Sequence, residues 1–316
     1  MDTKRIGIAA YGADALAVVS EMVRFERLGV AAVWLTTGGA RLDGLTLSAV
    51  AAMRTGKIML GTSIVPIFPR HPIVVAQQVQ VVAQLAPGRF RLGLGPSGQQ
   101  GVLQTFGLDF KFPLGHLREY VDILRTLLRT GSVDFAGDFY KTRARINKPV
   151  EVPIMTSALN AGAYRLAGEI ADGAISWVNP GKYLRDVALP AMREGAQKAG
   201  REVPPLIAHA PVCVHDNRSE VFAAVREQLA TYPRLPFYAR MFEAAGYPEA
   251  HDGTWSDAMI EAVAIWGDKP EVGGRLSELL SWGATEVIVT PVAAGPDRQA
   301  STDRTVQLIA DLAMAT

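Results

Sequence analysis

Apolar and polar positions along the chain follow two periods. Short, nearly continuous apolar runs occur at Arg5–Ala10, Ala31–Leu35, Ile58–Val65, Phe90–Leu94, Val152–Met155, Gly173–Trp177, Leu206–Val214 and Glu286–Thr290. Their length and β-branched content suit buried strands. Between them lie amphipathic stretches at Asp14–Leu28, Leu42–Arg54, Pro72–Gln84, Leu159–Ile170, Tyr183–Ala199 and Pro270–Ser281. These read as helices. Strand alternating with helix implies βαβ units and a parallel sheet. Eight such strands in 316 residues predict an α/β fold of the (β/α)8 TIM-barrel type, with a doubly wound open sheet as the second arrangement.

Two segments interrupt the alternation. Gly107–Pro149 holds a helix at His116–Arg129 and a hairpin at Val133–Tyr140, turning at Ala136-Gly137-Asp138. Asn217–Asp268 is mostly helical and contains Tyr232-Pro233-Arg234-Leu235-Pro236-Phe237-Tyr238. Each follows a strand, so both are expected as insertions on the C-terminal face, where they would wall a site. No internal repeat, low-complexity tract or interdomain linker divides the chain, and residues 1–316 are read as one domain.

Composition removes several classes. Basic and acidic residues number 32 and 31, giving a net charge of +1, and no basic stripe stands out. Nucleic acid is therefore not an expected partner. No apolar run reaches the roughly 18 residues of a membrane span, so no membrane association is expected. Lys4 and Arg5 precede an apolar stretch, as in a signal peptide, but Tyr11-Gly12-Ala13-Asp14 interrupts it early. A first barrel strand is the better reading. The single cysteine, Cys213, excludes an intrachain disulfide framework and fits a reducing cytoplasm. The five histidines, His71, His116, His209, His215 and His251, are scattered, and no metal site is expected.

Candidate chemistry sits at strand ends. Gly93-Leu94-Gly95-Pro96-Ser97-Gly98 matches the dinucleotide pattern G-x-G-x-x-G. It follows about the fourth strand rather than the first, and Pro96 with Gln99-Gln100-Gly101 is expected to delay any helix, so a Rossmann reading fails on context. A tight turn, or a backbone-lined site for an anion or ring, fits better. Thr62 and Ser63 interrupt an apolar strand, and either bond neighbouring backbone or meet a ligand. His71, before Pro72, opens a helix as a cap or a catalyst. Ser157-Ala158-Leu159-Asn160 precedes a helix, where free amides bind anions unless a side chain caps them. Neither GxSxG, HExxH nor GxxxxGK[ST] is present. Glu169 and Asp172 read as a helix end and turn rather than a catalytic pair.

Taken together these motifs resemble the bacterial luciferase-like monooxygenase superfamily. The supporting residues are Leu60-Gly61-Thr62, Arg70-His71-Pro72 and Gly88-Arg89-Phe90 through Gly95. Leu92 to Gly98, Arg118-Glu119-Tyr120 with Ile123-Leu124-Arg125, Arg165 to Gly173, Ile265-Trp266-Gly267-Asp268 and Gly283 to Ile288 resemble its deazaflavin-dependent branch. The resemblance implies a barrel with insertions, usually dimeric. It implies coenzyme F420, or FMN, at the C-terminal face. By position, Ser63-Ile64 would be a non-prolyl cis bond in a bulge (Thr62, Ser63, Ile64) that backs the ring. Gly95, Pro96, Ser97 and Gly98, with Ser157 to Asn160, would hold the phosphate-bearing tail.

The chain departs from the family pattern after the second strand. Many relatives carry an acidic residue and a histidine there; Thr37 and Gly38 stand in their place. Leu103-Gln104-Thr105-Phe106 likewise stands where relatives often place a Trp-His pair. Thr37 and His71 are therefore the candidate catalytic residues, and Trp34, Phe68, Phe106 and the Pro233–Tyr238 segment the candidate substrate walls. The implied function is an F420-dependent oxidoreductase moving hydride between a deazaflavin and an apolar organic small molecule. The alternatives are a two-component FMN-dependent monooxygenase fed by a flavin reductase, and a non-catalytic barrel that only binds cofactor.

Overall fold

The computed structural model describes residues 6–314; Arg5, expected to begin the first strand, lies outside them. The path runs β1 (Ile6–Ala9), α1 (Ala15–Arg27), β2 (Ala32–Leu35), α2 (Gly44–Arg54), β3 (Met59–Thr62), β4 (Val65–Pro66), α3 (Pro72–Leu85), β5 (Phe90–Gly95), α4 (Gln99–Phe106), α5 (Pro113–Thr130), β6 (Ser132–Ala136) and β7 (Lys141–Arg145). It continues through β8 (Ile154–Ser157), α6 (Ala161–Ile170), β9 (Gly173–Ile175), α7 (Gly181–Tyr183), α8 (Leu189–Lys198), β10 (Leu206–Val214), α9 (Arg218–Gln228), α10 (Pro236–Ala244), α11 (Asp257–Val263), β11 (Ile265–Gly267), α12 (Lys269–Ser281), β12 (Glu286–Pro291) and α13 (Arg298–Met314).

Strands β1, β2, β3, β5, β8, β9, β10 and β12 pair in parallel, and β12 pairs back onto β1. The ring is therefore a closed eight-stranded TIM barrel, not an open sheet. Closure removes the exposed edges a parallel sheet would otherwise carry.

Alternation along each strand sends one set of side chains inward. Ala9, Ala32, Trp34, Met155, Ile175, Ile207 and Ile288 form this inner core. Trp34 was expected to wall a substrate pocket. It is instead fully buried, lying in space that Gly7 and Gly61 leave open; a Cβ on Gly61 would collide with the indole. Its Nε1–H donates to Glu286 at 3.1 Å, and the Arg91 guanidinium stacks 4.4 Å above the ring while pairing with Glu286. Trp34 thus plugs the barrel toward its N-terminal face. The indole is large enough to fill a barrel interior that glycine-bearing neighbours would otherwise leave void.

Other expectations need correction. The run Ile58–Val65 is split into β3 and β4 by a cis peptide at Ser63–Ile64. No helix delay follows the glycine cluster, since α4 starts at Gln99 directly after Gly98. The first supposed insertion contains the barrel's own helix: α5 packs on α3 and α6. Only the β6–β7 hairpin is extra, and its turn returns to α5, where Glu119 accepts N–H bonds from Asp138, Phe139 and Tyr140. Helix Tyr183–Ala199 includes a π turn at Leu184–Ala188 before Pro190. Short β11 adds to β10 outside the ring.

Candidate active site

Inward alternation also decides what reaches the barrel mouth. Two residues beyond inner-core members stand Tyr11, Thr36, Ser157, Trp177, His209 and Thr290; Ser157, His209 and Thr290 lie within their strands, where alternation turns them inward, and Tyr11, Thr36 and Trp177 lie just past the ends of theirs. Their carriers β1, β2, β8, β9, β10 and β12 all end at the C-terminal face, the face on which barrel sites are built.

The floor is the β3–β4 bulge. Ser63 N–H donates to Leu35 O at 2.8 Å, Thr37 N–H donates to Ile64 O at 3.1 Å, and Thr36 Oγ1 donates to Ser63 O at 3.0 Å. The Ile64 side chain packs on the inner core below. Gly95 lies beside it. A Cβ there would collide with Ser157 Oγ and come within 3.2 Å of Ile64 Cδ1, so only glycine keeps this stretch of β5 bare.

Each expected cofactor residue has a definite place. Thr62 is fully buried, and its hydroxyl both donates to Gly93 O and accepts from Gly93 N–H, at 2.9 Å each. It therefore ties β3 to β5 where the ladder breaks, which is the backbone-bonding reading. Pro96 and Gly98 are half-buried and Ser97 is exposed with φ 66°. Gly98 precedes α4 with no side-chain cap. Ser157 is half-buried, while Ala158 N–H is committed to Ile175 O at 2.9 Å. Leu159 O accepts from Asn179 Nδ2 at 3.1 Å, and Asn160 Nδ2 donates to Phe237 O at 3.2 Å rather than capping α6.

Both candidate catalysts are engaged in capping or bonding nearby backbone. Thr37 is buried, and its Oγ1 accepts the Gly44 N–H at 2.9 Å. His71 is exposed and caps α3, its Nδ1 accepting from Ile73 N–H at 3.2 Å. The neighbouring Arg70 pairs with Asp43, tying α3's entrance to that of α2. Burial pushes the Asp43 carboxyl up, but bonds from Thr46 and Arg70 outweigh it and hold the carboxyl below its usual range.

Aromatic rings wall the mouth. Phe68 lies 5.0 Å from Phe110, which lies 6.2 Å from Phe237. The second insertion thus reaches the chain that follows β5. On the other side Trp177 stands 5.8 Å from Tyr232, which stands 4.9 Å from Tyr238. Phe106 is exposed on α4 and has no ring partner among the described residues.

His209 escaped the sequence reading. Its ring is buried against Trp177, 4.3 Å between centroids, and its Nε2 meets Thr290 Oγ1 at 2.7 Å. Burial alone lowers its pKa to about 3, so the imidazole is neutral at ordinary pH. The signal that could have found it is the alternation itself: His209 is two residues past inner-core Ile207, in a strand otherwise apolar from Leu206 to Val214.

Among the described residues, no group of three or more His, Cys, Asp or Glu gathers as metal ligands, and no helix is long and apolar enough to cross a membrane. A cavity of about 470 Å³ opens at the opposite face, lined in part by Arg91 and Glu286. It belongs to the Trp34 plug rather than to the mouth.

Residues 5–286 match the family model described as luciferase-like monooxygenase. The chain belongs to that family. It is 28% identical over 288 residues to 5,10-methylenetetrahydromethanopterin reductase of Methanopyrus kandleri, covering 79% of this chain and 81% of that protein. It is 35% identical over 178 residues to F420-dependent glucose-6-phosphate dehydrogenase of Segniliparus rotundus, covering 54% of this chain and 53% of that protein. Among solved structures, an F420-dependent secondary alcohol dehydrogenase in complex with an F420-acetone adduct superimposes with a TM-score of 0.81. It is 21% identical and covers 96% of this chain and 97% of its own. That likeness supports the luciferase-like barrel.

Proposed function

We propose that this member of the family is an F420-dependent oxidoreductase acting on a small, uncharged, largely apolar organic substrate. The observation that carries the reading is the mouth itself: a glycine-bared strand end beside a hydroxyl-rich bulge, roofed by aromatic rings. A planar ring with a polar edge fits that floor. Gly95 supplies the flat surface, Ile64 the backing, and Thr36, Ser157 and the main chain of the bulge the polar contacts. Ser97, Gly98 and the uncapped start of α4 would receive the phosphate-bearing tail, since uncapped helix amides attract anions. When bound, reduced F420 supplies a hydride.

The chain's own residues supply position and dryness. Phe68, Phe110 and Phe237 on one side, and Trp177, Tyr232 and Tyr238 on the other, exclude water from the space above the floor. Burial raises the hydroxyl pKa of both Tyr232 and Tyr238, so these two side chains carry no charge. That lining favours an apolar, uncharged substrate over an anionic one.

The test offers uncharged cyclic ketones and alcohols to the F420-loaded protein and follows deazaflavin absorbance. Substrate-dependent change supports the reading; a cofactor-loaded protein inert to the whole panel points to a binding barrel. Oxygen-dependent product formation with reduced FMN and a reductase would point to the monooxygenase.

The working form we propose is a homodimer. Val50 and Met53 on α2, with Val74, Val81 and Leu85 on the adjacent α3, are exposed at 48%, 68%, 44%, 51% and 37%. A run of large apolar side chains on two neighbouring helices is a cost in water that a second copy would remove.

A further inference from the structure

Resting on the oxidoreductase reading above, the geometry points to a second role at the mouth: His209, Thr290 and Tyr11 form a proton relay between the substrate oxygen and solvent. Three observations converge on it. His209 Nε2 meets Thr290 Oγ1 at 2.7 Å, and Tyr11 Oη stands 3.5 Å from the same oxygen, a long contact that must shorten for a proton to pass. Tyr11 is 48% exposed, so the chain ends in water. At the other end, Nδ1 has no partner among the described residues. The ring belongs to the inward set, next to Trp177.

A relay reconciles two facts that otherwise conflict. The family's acid-histidine pair is replaced by Thr37 and Gly38, and Thr37 is committed to Gly44. The histidine that the strand alternation turns inward, His209, is desolvated and has no charged neighbour contributing to its shift. It cannot act by becoming an imidazolium. A neutral imidazole can still move a proton if it gains one at one nitrogen as it loses one at the other.

In the reducing direction the hydride forms a C–H bond at the carbonyl carbon and the carbonyl π bond breaks. The oxygen takes the Nδ1 proton, Nε2 takes the Thr290 hydroxyl proton, Thr290 takes that of Tyr11, and water restores Tyr11. The balance is one hydride from the reduced cofactor and one proton from solvent. Oxidation of an alcohol runs the same bonds in reverse. After product leaves, water at Nδ1 resets the tautomer. The substrate class follows: the group at this spot is an uncharged carbonyl or hydroxyl, because neither His209 nor Thr290 offsets a full charge.

The test uses protein labelled with 15N at histidine, with and without cyclohexanone as the carbonyl probe; the His209 signals are assigned by H209Q. The relay predicts a His209 that stays neutral from about pH 5 to about pH 8. It predicts a tautomer balance altered by T290V, restored by T290S and altered by Y11F, and an Nδ1 resonance shifted by cyclohexanone. A His209 that titrates in that range, tautomer signals indifferent to T290V, or an Nδ1 unmoved by the ketone would each overturn it. F420 titration of the same proteins keeps the two readings apart. If wild-type protein fails to bind F420, the cofactor reading falls while the tautomer data still judge the hydrogen-bonded chain. If all variants bind F420 within about twofold of wild type and the tautomer data fail, the relay alone falls.

Discussion

Single atoms decide the chemistry of this mouth. Gly95 is the clearest case, because the missing Cβ is what leaves the floor bare. G95A should weaken F420 binding by at least about tenfold, or about 1.4 kcal/mol, in a fluorescence titration. Adding S157A should relieve the clash with Ser157 Oγ while removing that side chain's polar contact, so affinity should recover only in part. Unchanged affinity in G95A would contradict the placement of the ring. His209 makes a second prediction through stability. Its folded pKa is about 3, below the roughly 6.5 of an unfolded histidine. Its contribution is therefore intact above about pH 6.5 and is lost as pH falls toward 3. Over that window the unfolded chain holds a proton that the folded chain refuses, which costs about 1.4 kcal/mol per pH unit. Urea melts between those limits should show this slope in wild type and a shallower one in H209Q.

At the scale of elements, connections matter more than strands. Thr37 shows why: its hydroxyl accepts the Gly44 N–H at the start of α2, while its own N–H holds the Ile64 carbonyl of the bulge. T37V should leave a buried N–H unpaired and cost about 1–3 kcal/mol in urea unfolding, whereas T37S should stay near wild type. The alternation of apolar runs made the barrel legible, because each parallel strand is buried on both faces and reads as a continuous run. Less was legible where local pattern and tertiary role part. Trp34 follows a strand pattern at a strand's C-terminal end, yet its indole turns down into room made by Gly7 and Gly61, a partnership of residues far apart in sequence. Helix α5 read as part of an insertion because of the hairpin that follows it, though it packs as a barrel helix. The glycine turn, Ser157 and Phe68 were visible as chemistry. His209 was not, since a lone histidine in an apolar strand gains meaning only once Thr290 and Trp177 are brought beside it.

For the whole molecule, the closed barrel and the apolar flank divide the labour. The ring fixes six residues from six strands around one mouth, and the outer face of α2 and α3 is left for a partner. M53D with V81D should turn a dimer into a monomer in analytical ultracentrifugation, with little change in secondary structure by circular dichroism; a wild-type protein that is already monomeric would contradict the proposed assembly. Cofactor choice governs everything the mouth can do, and competitive fluorescence titration of the purified protein with F420 and FMN reads it. Micromolar or tighter F420 binding that FMN displaces poorly is the expected result. Preference for FMN, or binding of neither, would contradict it.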